Sequence, residues 1–203
     1  MIARLLAPPL CWSCRAPAAP GAPLCRCCRR ELRFLAREPV ALCGLPVWAP
    51  LAYEGPAGDL VKALKFHGAR AVAAEMAALM VAGAPEGFLD GELVAVPLHP
   101  GRRRTRAFNQ AEAIAAEIAA RTGLPLAGCL SRAGSDQRQV GRGRAARLAG
   151  PPGEIRAETA PRTAILVDDV VTTGGTLAAC ATALRAAGAR EVRAVAFART
   201  GGR

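Results

Sequence analysis

A chain of 203 residues can form one α/β domain with a small appendage, and a hydrophobic content of 52% excludes a disordered polypeptide. The net charge of +11 indicates an anionic partner such as nucleic acid or a polyphosphate, although GC-rich codons account for part of the arginine. Aromatic residues, at 4%, argue against a surface that stacks single-stranded bases. No apolar run reaches the roughly 18 residues that span a bilayer, so we expect no membrane insertion.

Residues 1–45 are rich in cysteine and proline and show no helical or strand periodicity. Cys11, Cys14, Cys25 and Cys28 form two CxxC pairs, the second following the first after ten residues. Paired cysteines without an export signal are typical of metal sites rather than disulfides, and this spacing suits a tetrahedral structural zinc. The sequence therefore predicts a zinc-binding module in a cytoplasmic protein. Whether Cys27 or Cys43 takes a ligand position stays open.

The next elements are a helix over residues 59–66, an alanine-rich helix over 72–81 and a short strand over 92–98. Asn109 is placed to cap a further helix, and Gly123 to end it. Lys62 and Lys65 are the only lysines of the chain and lie three residues apart, hence on one helix face. Such a pair can mark a need for a compact ammonium group, or it can be ordinary surface charge.

A basic loop follows the strand over residues 92–98. It brings cations to the carboxyl end of that strand: His99, Arg102, Arg103, Arg104 and Arg106. These groups suit a diphosphate, and the alternative is a solvated basic loop. The polar, arginine-rich stretch from residue 131 to about 162 carries little core signal. Its first part, residues 131–150, is either a lid over the site or a basic linker.

The last part of the chain reads as strand, turn, helix and strand, which predicts a parallel sheet with a crossover helix. The turn "TTGGT" spans Thr172, Thr173, Gly174, Gly175 and Thr176 and lies where open α/β sheets bind ligands. Its amides stand at a helix start, its glycines allow close approach, and its hydroxyls add donors. These features predict a phosphate cradle without the lysine of a Walker A loop.

Asp168 and Asp169 directly precede this turn. A phosphate pocket would repel them unless they meet another part of the same ligand. Carboxylates accept hydrogen bonds from vicinal hydroxyls, so a phosphate and a diol together indicate a ribose 5-phosphate. The alternative is a capped helix with exposed aspartates.

The segment "ILVDDVVTTGGTL" resembles the phosphoribosyl pyrophosphate (PRPP) signature of type I phosphoribosyltransferases. In that family the acid pair binds the ribose hydroxyls and the turn binds the 5′-phosphate. Two further segments, "VAVPLHPGRRRTRAFNQAEAIAAEIA" and "SDQRQVGRGRAARLAG", together with the cysteine pairs, resemble the ComF family of competence-associated proteins.

The resemblance implies an α/β phosphoribosyltransferase-like domain over residues 46–203, behind the zinc module of residues 1–45. It implies PRPP with Mg²⁺ as ligand, pyrophosphate bound by the basic loop, and a functional role for Lys65. The implied reaction is phosphoribosyl transfer to an unknown acceptor with release of pyrophosphate. The alternative is a non-catalytic sensor in DNA uptake that binds single-stranded DNA or competence-machinery proteins.

Overall fold

The computed structural model of the chain describes residues 9–67, 70–98, 108–132 and 154–201, without the side chains of residues 67 and 70. Within these residues the helices are α1 (Arg26–Arg30), α2 (Gly55–His67), α3 (Arg70–Gly83), α4 (Gln110–Thr122) and α5 (Gly175–Ala186). The strands are β1 (Val40–Leu42), β2 (Leu45–Trp48), β3 (Leu51–Ala52), β4 (Glu92–Ala95), β5 (Leu130–Arg132), β6 (Ile155–Ala157), β7 (Thr163–Val171) and β8 (Glu191–Arg199).

The main sheet of the described residues has six strands in the order β1-β2-β8-β7-β4, with β3 also paired to β8. Only β1 and β2 pair antiparallel in this sheet, as a hairpin, and the other described pairs are parallel. Strands β5 and β6 form a separate antiparallel pair. The fold is therefore α/β with a mostly parallel sheet, and β7 lies between its two parallel neighbours.

Both faces of the sheet are covered by helices, because the side chains of β7 alternate between two apolar layers. Ile165 and Val167 belong to one layer, which also holds apolar residues of α2, α3 and α4. Ala164 and Leu166 belong to the other, where the buried side chains of α5 lie. Strands buried on both faces are typical of parallel sheets, and this burial explains the continuous apolar run before the aspartates.

The cysteine-rich segment packs on the helices of the first layer. Cys28 and Leu32 belong to the same apolar cluster as residues of α2 and α3. The Ser13 hydroxyl donates a hydrogen bond to Asp59 of α2 at 2.8 Å, and Arg29 forms an ion pair with Glu75 of α3. The division of the chain near residue 45 stays a prediction, and β1, which lies before that point, pairs into the main sheet.

Several sequence-based boundaries are confirmed. The side chain of Asn109 accepts a hydrogen bond from the amide of Ala111 at the start of α4, and Gly123 ends that helix in the left-handed conformation. The predicted strand–helix–strand unit is β7–α5–β8, with β7 and β8 parallel. Strand β4 is shorter than expected and ends at Ala95. No helix among the described residues is long and apolar enough to cross a membrane.

Candidate functional site

The site lies where β7 ends and α5 begins. Strand β7 runs through both aspartates to Val171, a bend over residues 172–174 follows, and α5 starts at Gly175. Gly174 has a left-handed φ of +81° and is the N-cap of α5, without a side-chain capping hydrogen bond. The first amides of a helix have no partner inside the helix, and the helix dipole is positive there. This loop, residues 172–175, therefore offers an anion the amides that an ordinary cap would occupy.

The two aspartates face opposite sides of the sheet. Asp169 is 7% exposed and contacts Lys65 of α2. Asp168 is half-buried and accepts a hydrogen bond from the amide of Asp169 at 2.8 Å. Burial, and next the charge of Asp168, raises the pKa of Cys180 in α5 to about 12, which places Asp168 on the α5 side. The acids are adjacent in sequence but occupy different surroundings.

The buried end of this site holds an ion pair. Lys65 Nζ lies 3.1 Å from Asp169 Oδ2, and their side chains are 17% and 10% exposed. Lys62, one turn earlier, instead pairs with Asp59 at 3.2 Å and is 63% exposed. The two lysines are therefore not equivalent, because only Lys65 reaches the end of β7. An acid buried beside a cation stays charged, and a charged acid is the better acceptor for a ligand hydroxyl.

A second cluster lies in the cysteine-rich segment. The sulfur atoms of Cys11, Cys14, Cys25 and Cys28 all lie within 4.8 Å of one another, and Cys14 and Cys25 are separated by 3.6 Å. Four thiolates around one zinc at about 2.3 Å stand about 3.8 Å apart, so these positions suit a tetrahedral ion. The cluster can therefore bind zinc. Cys27 is exposed and does not belong to it, which answers the question left by the sequence.

Local backbone groups prepare the cluster for ionisation. Burial opposes a charge on Cys11, but hydrogen bonds from the backbone of Cys14, Cys25 and Ser13 outweigh it and lower the pKa of Cys11 to about 6. Burial, followed by its hydrogen bonds to Cys14 and Cys25, raises the pKa of Cys28 to about 12. Thiolates are the zinc ligands, so metal binding would release the protons that the cluster still holds.

Comparison with known proteins bears on the carboxyl-terminal half of this structure. Residues 106–203 match a family model described as the phosphoribosyl transferase domain. The matched range contains α4, the acid pair, the loop and α5. This phosphoribosyl transferase domain match agrees with the fold class expected from the sequence.

Solved structures with detectable similarity include two with titles that concern nucleotide synthesis. One is the glutamine phosphoribosylpyrophosphate amidotransferase of B. subtilis complexed with ADP and GMP, at 24% identity and a TM-score of 0.39. The other is titled as the allosteric regulatory enzyme of purine biosynthesis, at 24% identity and a TM-score of 0.37. The similarity covers 64% of this chain but only 26% and 25% of those chains. No curated protein matches the sequence significantly.

The structure brings some of the expected site residues of the phosphoribosyl transferase domain together. The acid pair, the loop and Lys65 meet at one end of β7, as described above. The expected pyrophosphate-binding residues lie outside the described residues: His99, Arg102, Arg103 and Arg106. The expected lid, residues 131–150, lies outside them too, except for its first two residues. The functional roles of all these residues stay predictions.

The sequence gave no reason to place the β1–β2 hairpin beside the loop. Cys43, at the tip of that hairpin, donates a hydrogen bond from its thiol to the carbonyl of Thr173 at 3.2 Å. In the sequence it resembled the remainder of a further cysteine pair. The pairing of β2 with the distant β8, which places the hairpin here, has no local sequence signal.

Proposed function

We propose that this protein binds PRPP, or a related phosphoribosyl ligand, and transfers its phosphoribosyl group to an acceptor with release of pyrophosphate. The observation that supports this most directly is the end of β7, where two acids with different surroundings meet an uncapped helix start. One part of that arrangement accepts hydrogen bonds and the other part donates them. A ribose 5-phosphate needs both, a few ångströms apart.

The proposed roles follow from these positions. The amides of the loop, with the hydroxyls of Thr172, Thr173 and Thr176, bind the 5′-phosphate, and all three threonines are exposed. Asp168 and Asp169 accept hydrogen bonds from the ribose hydroxyls. Lys65 holds Asp169 ionised and in place. Positioning of this kind, together with charge stabilisation, lowers the barrier to substitution at ribose C1 without covalent participation by the protein.

The basic loop would bind the pyrophosphate that leaves, and Mg²⁺ would supply charge neutralisation of the diphosphate when bound. The donor set of the described site fits this assignment, since carboxylate oxygens lie beside the ribose position and Mg²⁺ prefers oxygen ligands and retains several waters. The ComF resemblance adds a link to DNA uptake. That link rests on the resemblance of the sequence segments.

Titration of the protein with PRPP and Mg²⁺ by calorimetry tests the proposal. Asp168→Asn and Asp169→Asn should each weaken binding by roughly 10- to 100-fold, because a charge-assisted hydrogen bond contributes about 1.5–3 kcal/mol. Glu191→Gln is the matched control, since Glu191 starts β8 at the opposite edge of the sheet and is 63% exposed. It should bind as the unmodified protein does. Equal affinity in all four proteins would contradict the assignment of the acid pair.

A second candidate is the nucleotide-sensing accessory protein that binds single-stranded DNA or competence-machinery partners. A cavity of about 210 Å³ favours it, lined by Trp12, Arg15, Asp59, Lys62, Ala63 and Phe66. The guanidinium of Arg15 lies 5.6 Å from the centre of the Trp12 ring, and Phe66 is 70% exposed. Rings beside cations are how proteins hold single strands. PRPP binding without pyrophosphate release, over a panel of nucleobases and amines, together with oligonucleotide binding, would favour this candidate over the enzyme.

A further inference from the structure

The tip of the β1–β2 hairpin has an unusual backbone. Leu42 pairs with Leu45, so Cys43 and Gly44 form a two-residue turn, with φ of +50° and +74°. Such turns favour Asn-Gly or Asp-Gly because both central residues need positive φ. Cysteine has no local hydrogen bond that compensates for this conformation, so Cys43 is strained where Asn or Gly would not be. A strained residue that is kept at a turn points to a role beyond the turn.

The hairpin tip lies directly on the loop of residues 172–175. The Cys43 thiol donates to the Thr173 carbonyl at 3.2 Å. A Cβ atom placed on Gly174 would lie 3.2 Å from Leu42 Cβ and 3.6 Å from Cys43 Sγ. These contacts come from residues about 130 positions away in the chain, and they enclose Gly174, which is buried while its neighbours are exposed.

The hydrogen bond fixes the direction of one peptide group. In a trans peptide the carbonyl and the following N–H point in opposite directions. Because the thiol holds the Thr173 carbonyl towards the hairpin, the N–H of Gly174 points away from the hairpin. If this peptide rotated, the carbonyl oxygen would take the place of the N–H and would repel an anion. The orientation of a single peptide therefore decides whether the loop offers a donor or an acceptor.

We propose that the hairpin tip, Leu42 and Cys43, is a positioning element that holds the Thr173–Gly174 peptide with its N–H available to the 5′-phosphate. Cys43 acts through the loop and does not contact the ligand. This inference rests on the proposed function, because it assigns the loop to the phosphate of a phosphoribosyl ligand.

Neither stability nor metal binding accounts for Cys43 as well. Its side chain is exposed, so its burial contributes little to folding, while its positive φ has a cost. The four-cysteine cluster is formed without it. The hydrogen bond to the loop is the interaction through which this thiol acts on another part of the described structure.

The test compares Cys43→Gly and Cys43→Ser. Glycine removes the thiol and the strain together, so the melting temperature should stay equal or rise while ribose 5-phosphate and PRPP bind roughly three- to tenfold more weakly. Serine keeps a donor at the same position and should restore at least half of the lost affinity on a logarithmic scale. A role in folding alone predicts the reverse, with stability and affinity changing in the same direction.

Hydrogen exchange without ligand separates this inference from the proposed function. Cys43→Gly should speed exchange of the amides of residues 173–175 by at least threefold and leave α4 unchanged. If the unmodified protein binds neither ligand but this local exchange still changes, the proposed function fails and the positioning of the peptide stands. If both ligands bind and Cys43→Gly alters neither affinity nor exchange, the inference is overturned.

Discussion

Replacing Lys65 by methionine removes the ammonium group beside Asp169 while keeping most of the aliphatic stem. The two side chains are 17% and 10% exposed, and their charged atoms are 3.1 Å apart. Removal of one partner leaves the other charge in a site that water reaches poorly. The free energy of unfolding should therefore fall, by an amount set by how completely Asp169 is cut off from solvent.

Fully buried pairs that lose one partner are destabilised by about 3–5 kcal/mol, whereas exposed pairs contribute about 0.2–1 kcal/mol. The pair of Lys65 and Asp169 is mostly buried, so we expect about 2–3 kcal/mol. For a chain of this size each kcal/mol shifts the melting temperature by about 2–4 °C, so Lys65→Met should lower it by about 4–12 °C.

Lys62→Met is the matched control, because it makes the same change one turn earlier on α2. Lys62 is 63% exposed, and its ion pair with Asp59 should contribute no more than about 0.5 kcal/mol. Its melting temperature should therefore fall by no more than about 2 °C. Thermal melts at pH 7 compare the two variants. The double variant Lys65→Met/Asp169→Asn should regain at least half of the lost stability, because no buried charge remains.

Equal melting temperatures for Lys65→Met and Lys62→Met would refute this reasoning. That result would mean that Asp169 is hydrated in solution and that the ion pair does not hold it. A double variant no more stable than Lys65→Met would refute it differently. It would show that lost packing of the Lys65 stem, rather than an unpaired charge, is the cause.

Two further predictions concern the cysteines. Metal analysis should find one zinc per chain, and Cys28→Ser should abolish it and lower the melting temperature of the whole chain, since Cys28 shares a core with α2 and α3. Cys27→Ser, at the exposed neighbour, should keep the metal, and zinc retained in Cys28→Ser would contradict the assignment. Because burial and the charge of Asp168 raise the pKa of Cys180 to about 12, the unfolded chain loses that proton first, so stability falls above about pH 9. Iodoacetamide at pH 8 should label Cys180 only on unfolding, and labelling as fast as that of Cys27 would show the thiol to be accessible.

Local features of the sequence predict those parts of the molecule that depend on neighbouring residues. The CxxC spacing predicts which four cysteines cluster, because each pair is brought together by one turn of chain. Asn109 and Gly123 predict the ends of α4 through capping, which acts within a few residues. The apolar run before Asp168 predicts a buried strand, and the glycines after it predict a helix start that an anion can approach. The fold class follows from the order of these elements.

Tertiary structure alone decides which distant groups meet the end of β7. Periodicity places Lys62 and Lys65 on one helix face, but only the packing of α2 on the sheet gives Lys65 the buried acid and leaves Lys62 at the surface. Alternation along β7 separates two adjacent aspartates, because successive side chains of a strand point to opposite faces. The pairing of β2 with β8 sets Cys43 beside Thr173, although about 130 residues separate them. Such contacts depend on how whole elements pack and on strand register, which no short stretch of sequence specifies.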